Sequence, residues 1–379
     1  MFEKSGASIL RQVLLVCDTT APGGVDRYVI GLALMGRRCG WEVCTLVDDH
    51  PDTARLQADL QREFFPVISG PLHKRYSEEE RRTLVESVIT QTNPQIAHVI
   101  LPAPWAGVIP REVALAHRLP LFATEQLVDA SFYLVPELRE RIHRCYEQSV
   151  VHIAVSQANR RLLIEKFGFP AAKLMVIPNA VDTALWKPGT EQEKKLARAE
   201  YGFDKTKVML CPARLDIQKG IDVLLSACAG LRRQNWLLLI AGIGPDEIQL
   251  KEQAVALGID DRVRWLGWRN DIQKLLLAVD LFVLPSRYEG QPFALLEAMA
   301  AGTPVVAAAV SGIPEAVDGG RLGRLAPPED PVALAEAIEK TLDDPHLDRQ
   351  VIEARSFMEK KFDLTVNLRR TVDLWTPYV

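Results

Sequence analysis

The 379-residue sequence has no apolar run approaching the roughly 18 residues a membrane-spanning helix needs; its most apolar stretches are cut by Asp280 and by Thr303-Pro304. Cysteine is scarce and unpatterned. The six, at 17, 39, 44, 145, 211 and 228, form no CxxC pair and sit mostly inside apolar segments, which reads as small core residues in a reducing compartment. The seven histidines never take an HxxxH or HExxH spacing, so no built-in metal site is expected. Charge of neither sign dominates: 45 Lys+Arg against 49 Asp+Glu leaves −4, with no basic balance to favour nucleic acid. Low-complexity segments and short repeats are absent too. The N-terminal MFEKSGASILRQVLLVCDTT mixes acid and base before its apolar run and lacks a cleavage-type end, so a first strand is expected there rather than a signal peptide. These absences together lead to the expectation of a cytoplasmic chain, peripheral at most to the inner face of a membrane.

What is present is alternation. Hydrophobic residues make up 48% and charged residues 25%, enough for a sizeable core in about two domains. Strand-like runs fall at 12–17, 42–47, 96–101, 120–124 and 151–155, with helical patterns between them, among them 25–39 and 77–91. The second of these opens on Ser77 with Glu80 three places on, a capping-box start. The pattern then restarts, with strand-like runs at 207–214, 235–242, 262–267, 281–286 and 304–308. Helical runs at 219–233, 246–257, 270–279, 292–301 and 331–342 separate and follow them. Continuously apolar strands alternating with helices mean parallel sheets covered on both faces. The polar stretch 183–206, broken at Pro188-Gly189, is expected to be a linker. Two further helices, near 347–361 and 363–375, have no strand to serve.

Doubly wound sheets bind ligands beyond the carboxyl ends of their strands, and three motifs lie there. Gly23-Gly24 follows the first strand and opens a helix, so backbone amides face any anion or sugar that approaches; the loop lacks the GxGxxG dinucleotide pattern. Arg214 ends the first strand of the second half and Lys219 begins the next helix, a pair of fixed cations suited to a diphosphate whose charge grows as a bond breaks. Glu289 follows a strand end and Glu297 lies 297 − 289 = 8 residues on, inside the next helix. Two carboxylates so placed can each accept bonds from vicinal hydroxyls. The acidic pairs Asp48-Asp49, Asp260-Asp261 and Asp343-Asp344 read as solvated caps and turns. His98 reads as a core histidine. Trp105, Phe132 and Tyr133 are candidates to stack on a sugar or a ring. Arg139, Arg141 and Arg144 form a stripe that could touch a membrane surface, but Glu137, Glu140 and Glu147 interleave with them, and a solvated helix is expected.

In this order, GGVDR, IPNAVD (177–182), the Arg214/Lys219 pair, AGIGPDE (241–247), the Glu289/Glu297 pair and SGIPEAV (311–317) resemble the family 4 retaining glycosyltransferases of GT-B fold, over nearly the whole chain. The resemblance implies two Rossmann-like domains facing a central cleft: an acceptor domain over 1–185, a nucleotide-sugar domain over 186–350, and helices over 351–379 packing back on the first domain. It implies Arg214 and Lys219 on the donor diphosphate, Glu297 on the ribose, and Glu289 with the amides of Gly290, Gln291, Pro292 and Phe293 around the transferred sugar. Gly23, Gly24 and Gly242 would border the phosphates. Trp268 and Arg269, within 266–271, would border the base. Where the family often carries His at a strand end, this chain has Glu125, placed with Glu289, Arg214 and Lys219 among the catalytic candidates. The implied partners are a nucleotide diphosphate sugar, UDP first, and a glycan, lipid-linked or small-molecule acceptor; no cofactor and no metal are implied. A nucleotide-sugar epimerase of the same fold and a non-catalytic nucleotide-sugar-binding protein are the alternatives.

Overall fold

A computed structural model describes residues 11–19, 23–203 and 206–378. The start of the chain, Ala21 and Pro22 of the Gly23-Gly24 loop, and residues 204–205 of the expected linker lie outside the described residues. The chain forms two units, Met1–Pro178 with Thr365–Val379, and Asn179–Leu364.

The first unit carries strands β1 Arg11–Cys17, β2 Trp41–Asp48, β3 Val67–Gly70, β4 Ile96–Leu101, β5 Leu121–Glu125, β6 Val151–Ala154 and β7 Leu174–Val176. They pair in parallel in the order β3-β2-β1-β4-β5-β6-β7. Between them run α1 Gly24–Arg38, α2 Ala54–Arg62, α3 Glu78–Thr92, α4 Val108–Ala116, α5 Pro136–Gln148 and α6 Gln157–Glu165. Ser77 caps α3 reciprocally with Glu80, as its sequence spacing implies. Two strands are not expected from the periodicity: VISG and LMV are too short to show one, yet they form β3 and β7 as sheet edges.

The second unit has β8 Lys207–Pro212, β9 Trp236–Ala241, β10 Val263–Trp265, β11 Leu281–Leu284, β12 Val305–Ala308 and β13 Arg324–Ala326, parallel in the order β10-β9-β8-β11-β12-β13. Its helices are α7 Glu191–Glu200, α8 Ile221–Ala229, α9 Glu247–Ala256, α10 Ile272–Ala278, α11 Phe293–Ala300, α12 Ile313–Ala316, α13 Pro331–Leu342 and α14 Leu347–Lys361; α15, Leu364–Asp373, follows. Both strand orders reverse direction about the first strand, between β1 and β4 and between β8 and β11. A crevice opens at such a switch point, at the carboxyl ends of the strands.

Two boundary expectations are corrected. The stretch 183–206 is not a bare linker, because Thr190 and Glu193 form a capping box that starts α7. Arg198 on that helix is tied to Asp280 and to the carbonyl of Ala278. By packing, the two units divide at Pro178/Asn179, a little before the expected 185/186. The helix α14 also does not join the first unit: Ala354, Met358 and Phe362 are buried in the second unit's core with Leu295 and Met299. Arg355 there donates to the carbonyls of Thr183, Trp186 and Ala300.

Residues from Thr365 onward do belong to the first unit, and its sheet explains why. Helices α3 and α4 cover one face, where Val99, Leu101 and Ala123 pack with Val88 and Val113. The other face presents His98 and Phe122 to the chain end. Fully buried Trp375 meets His98 edge-on at 5.7 Å and Trp41 at 5.5 Å, and its Nε1 donates to His98 Nδ1 at 3.1 Å. That bond fixes the tautomer, so His98 Nε2 donates to Thr124 Oγ1 at 2.8 Å. His98 is thus a satisfied core histidine, and burial pushes its pKa down to about 3.

Candidate functional site

The second switch point gathers the cationic and acidic motifs. After β8 the backbone of 213–215 runs against 241–246: Leu215 N–H donates to Ile243 O and Asp246 N–H to Leu215 O, each at 3.0 Å. A Cβ at Gly242 would lie 1.9 Å from the Ala213 carbonyl oxygen, so glycine is required for this approach. Arg214 emerges from the stretch so held, paired with Asp216 and bonded to Gln218 at 3.4 Å. Lys219 closes the short turn Ile217–Lys219. The next residue, Gly220, has φ 62°, and a Cβ there would meet the Pro285 carbonyl at 2.2 Å, so the turn can press against the end of β11.

That pressing brings Lys219 to Glu289, seventy positions away: Nζ lies 2.6 Å from Oε1. Ser286 Oγ also bonds that oxygen, at 2.8 Å. Glu289 is buried, as is Glu297 on α11, so both carboxylates sit in a protein-lined recess rather than on a solvated face. The turn between them is braced from the SGIPEAV segment, where Ser311 Oγ accepts from Glu289 N–H at 3.3 Å and Gly312 N–H donates to Gly290 O at 3.0 Å. The IPNAVD segment adds a second brace, Asn179 Nδ2 to Gln291 O at 3.0 Å. Gln291 itself is buried, with both carboxamide atoms unpaired. Helix α11 starts after Pro292 with no side-chain cap; Leu295 N–H turns back to the Pro292 carbonyl, which leaves the amides of Phe293 and Ala294 to an anion. A nearby cation, Arg287, is spent on Asp222 at 2.7 and 2.8 Å and on Glu329. The structure therefore assembles Arg214, Lys219, Glu289, Gly290 to Phe293 and Glu297 around one strand switch. Gly242 shapes this crevice through backbone packing. Trp268, 46% exposed, bonds Asn270 through Nε1, and Arg269 pairs with Asp271, both on the segment after β10. Ser286, Ser311 and Asn179 are site supports that sequence reading missed. Only their membership of motifs marked them, since a hydroxyl or amide that braces a turn has no periodic signature.

The first unit treats its candidates differently. Gly23 precedes α1, where its N–H bonds Asp26 at 3.1 Å, and Gly24 begins the helix. Glu125 is fully buried: Oε1 accepts from Tyr146 Oη at 2.5 Å and from His152 Nδ1 at 2.8 Å, beneath the Tyr146–His152 ring stack. The placing of Glu125 among the catalytic candidates is corrected, because strand alternation turns its side chain inward onto Tyr146 of α5. Burial lifts the Tyr146 hydroxyl well above its ordinary pKa and depresses that of His152 against the raising pull of Glu125. Asp48 is likewise no solvated turn: it is fully buried, takes N–H bonds from His50 and Leu72 and pairs with Arg75 at 2.9 Å. The arginine stripe is spent, Arg141 on Glu78 and Glu112, Arg144 on Glu140 and Arg139 on the Phe167 carbonyl. Among the described residues no three His, Cys, Asp or Glu side chains cluster to hold a metal, and no helix is long and apolar enough to cross a membrane.

Comparison with known proteins also divides the chain in two, between residues 185 and 193. Residues 22–185 match the profile of Glycosyltransferase Family 4, and residues 193–356 that of Glycosyl transferases group 1. Among curated proteins, the alpha-D-kanosaminyltransferase of Streptomyces kanamyceticus is 33% identical over 168 residues, 43% of this chain and 44% of its own length. The D-inositol 3-phosphate glycosyltransferase of Corynebacterium jeikeium is 34% identical over 250 residues, 61% of this chain and 58% of its own. The chain thus spans about half the length of the curated relatives it matches. Among solved structures, Anabaena Alr3699/HepE in complex with UDP and glucose superposes with a TM-score of 0.84 at 23% identity, over 97% of this chain and all of that one. That likeness establishes the fold, GT-B.

Proposed function

We propose, for a chain that belongs to the family 4 glycosyltransferases and carries their GT-B fold, that it moves a hexose from a nucleotide diphosphate sugar to a hydroxyl of a glycan, lipid-linked or small-molecule acceptor. The anomeric configuration is retained and no metal is needed. The observation that carries this reading is the 2.6 Å approach of Lys219 to Glu289 beside the uncapped start of α11. A fixed cation, a carboxylate and helix amides meet in one recess, which suits a ligand with a diphosphate at one end and hydroxyls at the other.

In this reading Arg214, Lys219 and the α11 amides take the diphosphate. Glu289, with Oε1 already occupied by Lys219 and Ser286, offers Oε2 to a sugar hydroxyl, and Glu297 takes the ribose. As the bond from the anomeric carbon to the diphosphate oxygen breaks, negative charge grows where these donors are already fixed, which is where preorganised charge lowers a barrier most. The acceptor oxygen bonds the anomeric carbon on the same face, and its proton passes to the departing phosphate oxygen. No protein base is required for that step. UDP is favoured because a solved structure of this fold, Anabaena Alr3699/HepE, is a complex with UDP and glucose. Trp268 and Arg269 would border the base.

The test is a panel of UDP-, GDP-, ADP- and dTDP-sugars with and without EDTA, read by thermal shift and nucleoside diphosphate release. Stabilisation by one base that survives EDTA and vanishes in Lys219→Ala is expected. Silence across the panel would overturn the donor assignment.

A further inference from the structure

The carboxyl edge of the first sheet carries a second built surface. Trp105, on the loop after β4, and Phe132, on the loop after β5, stack at 3.6 Å and 15° on the apolar cluster of Val128, Leu134 and Ile142. Both rings are half-buried, and Tyr133 beside them is 75% exposed. An aromatic face left open to water is the surface on which the C–H face of a pyranose packs, because it buries apolar area without asking for charge.

What holds this pair is unusual for a loop. Arg111, fully buried on α4, makes no direct ion pair with a carboxylate among the described residues. Its guanidinium forks onto three loop carbonyls, Pro104 at 3.0 Å, Ala106 at 2.8 Å and Gly107 at 3.2 Å. Gly107 N–H in turn donates to Asp18 Oδ2 at 2.8 Å, at the end of β1. The loop carrying Phe132 is rooted one strand over at Glu125, which Tyr146 and His152 hold from inside. A buried cation is costly; Arg111 offsets part of that cost by setting Nε and Nη2 on the carbonyls of 104–107, which ties that loop to α4, while its Nη1 is buried without a hydrogen-bond partner among the described residues.

The charges around the pair select its occupant. Arg111 is fully buried beneath the loop, with Nε and Nη2 on carbonyls; Arg139 is bonded to the Phe167 carbonyl, and Arg141 to Glu78 and Glu112. The remaining neighbours along the 126–137 loop are acids, Asp129 and Glu137. A phosphate or carboxylate would meet two like charges on that loop.

We propose that the Trp105–Phe132 stack with Tyr133 is the acceptor platform, that it takes an uncharged pyranose ring of a glycan and rejects phosphorylated ones, and that Arg111 is the residue that positions it. This rests on the glycosyltransferase reading but is tested apart from the donor. The probes are the methyl glycosides of glucose, galactose and mannose and their 6-phosphates, read by saturation-transfer NMR from aromatic protons of the full chain. Transfer to the ring protons of at least one neutral glycoside is expected, with at least tenfold weaker affinity for its 6-phosphate. Trp105→Ala should abolish the signal, and Trp105→Phe should restore part of it. Arg111→Met should weaken binding by about tenfold, with Arg111→Lys recovering part of the loss at unchanged melting temperature. Lys219→Ala should leave the signal intact, so loss of donor binding there separates failure of the donor assignment from failure of the platform. No signal with any neutral glycoside, an undiminished signal in Trp105→Ala, or equal binding of the 6-phosphates would overturn the proposal.

Discussion

Lys219 and Glu289 show how far a single residue pair can be read. Glu289 was legible as a charge after a strand end and Lys219 as one at a helix start, but their 2.6 Å contact spans seventy positions and depends on the Gly220 turn pressing onto Pro285. If both act on charge that develops in the transition state, Lys219→Ala and Glu289→Gln should each lower kcat by about 100-fold or more with the fold retained. Near-normal turnover in both would remove them from the site. Glu125 marks the opposite limit. Its position at a strand end looked like a ligand position, but one step along a strand reverses the side chain's face, and that phase is invisible when every position of the strand is buried. His98 offers a residue-scale test of burial. Its pKa is pushed down to about 3 in the fold, so between about pH 6.5 and 3 the unfolded chain binds a proton that the native state refuses, and stability contributed by this group falls as pH falls. Against a His98→Gln variant, which cannot titrate, the wild type should lose relative stability by up to about 1.4 kcal/mol per pH unit below 6.5, measured by urea unfolding. A difference that stays constant from pH 7 to 4 would show that His98 titrates normally.

At the scale of elements, the long strands and helices were legible because apolar runs and 3.6-residue periods extend over enough residues to be counted. The edge strands β3, β7 and β13 have only three or four residues and were missed, since pairing with a neighbour defines them and their own sequence does not. The linker expectation failed for a related reason. A charged stretch looks like a linker until its Thr190–Glu193 box is noticed, the same signature that was recognised at Ser77–Glu80. Glycines in the two candidate loops separate packing from ligand approach. A Cβ at Gly242 would meet the Ala213 carbonyl, whereas one at Gly23 meets nothing within 4 Å. Gly242→Ala should therefore cost about 1–3 kcal/mol of stability through forced backbone displacement and weaken donor binding with it. Gly23→Ala should leave the melting temperature unchanged, so any loss of turnover there would report on ligand approach alone. Equal melting temperatures for the two variants would contradict the packing account.

On the scale of the whole molecule, the chain leaves its first unit at Pro178 and returns to it at Thr365, after the second unit is complete. The expectation that terminal helices brace the first domain identified this return, but it placed α14 on the wrong side. That helix is held by second-unit carbonyls, and the return begins only where residues 181 and 363 bridge. The physical need is local to the first sheet, one of whose faces would expose His98 and Phe122 without the chain end. Trp375 fills that position with contacts to Trp41, Gly36 and His98. Replacing a fully buried tryptophan by alanine costs about 3–5 kcal/mol and here also strips His98 Nδ1 of its donor. Trp375→Ala should accordingly lower the unfolding temperature of the first unit by several degrees. The proposed donor residues Arg214, Lys219, Glu289 and Glu297 all lie within Asn179–Leu364. Stabilisation by nucleotide sugar should then persist in the variant, seen in calorimetry as an early transition that ligand does not move and a later one that it does. A single transition shifted as a whole by ligand would mean that the two units unfold as one, and that the chain end stabilises both.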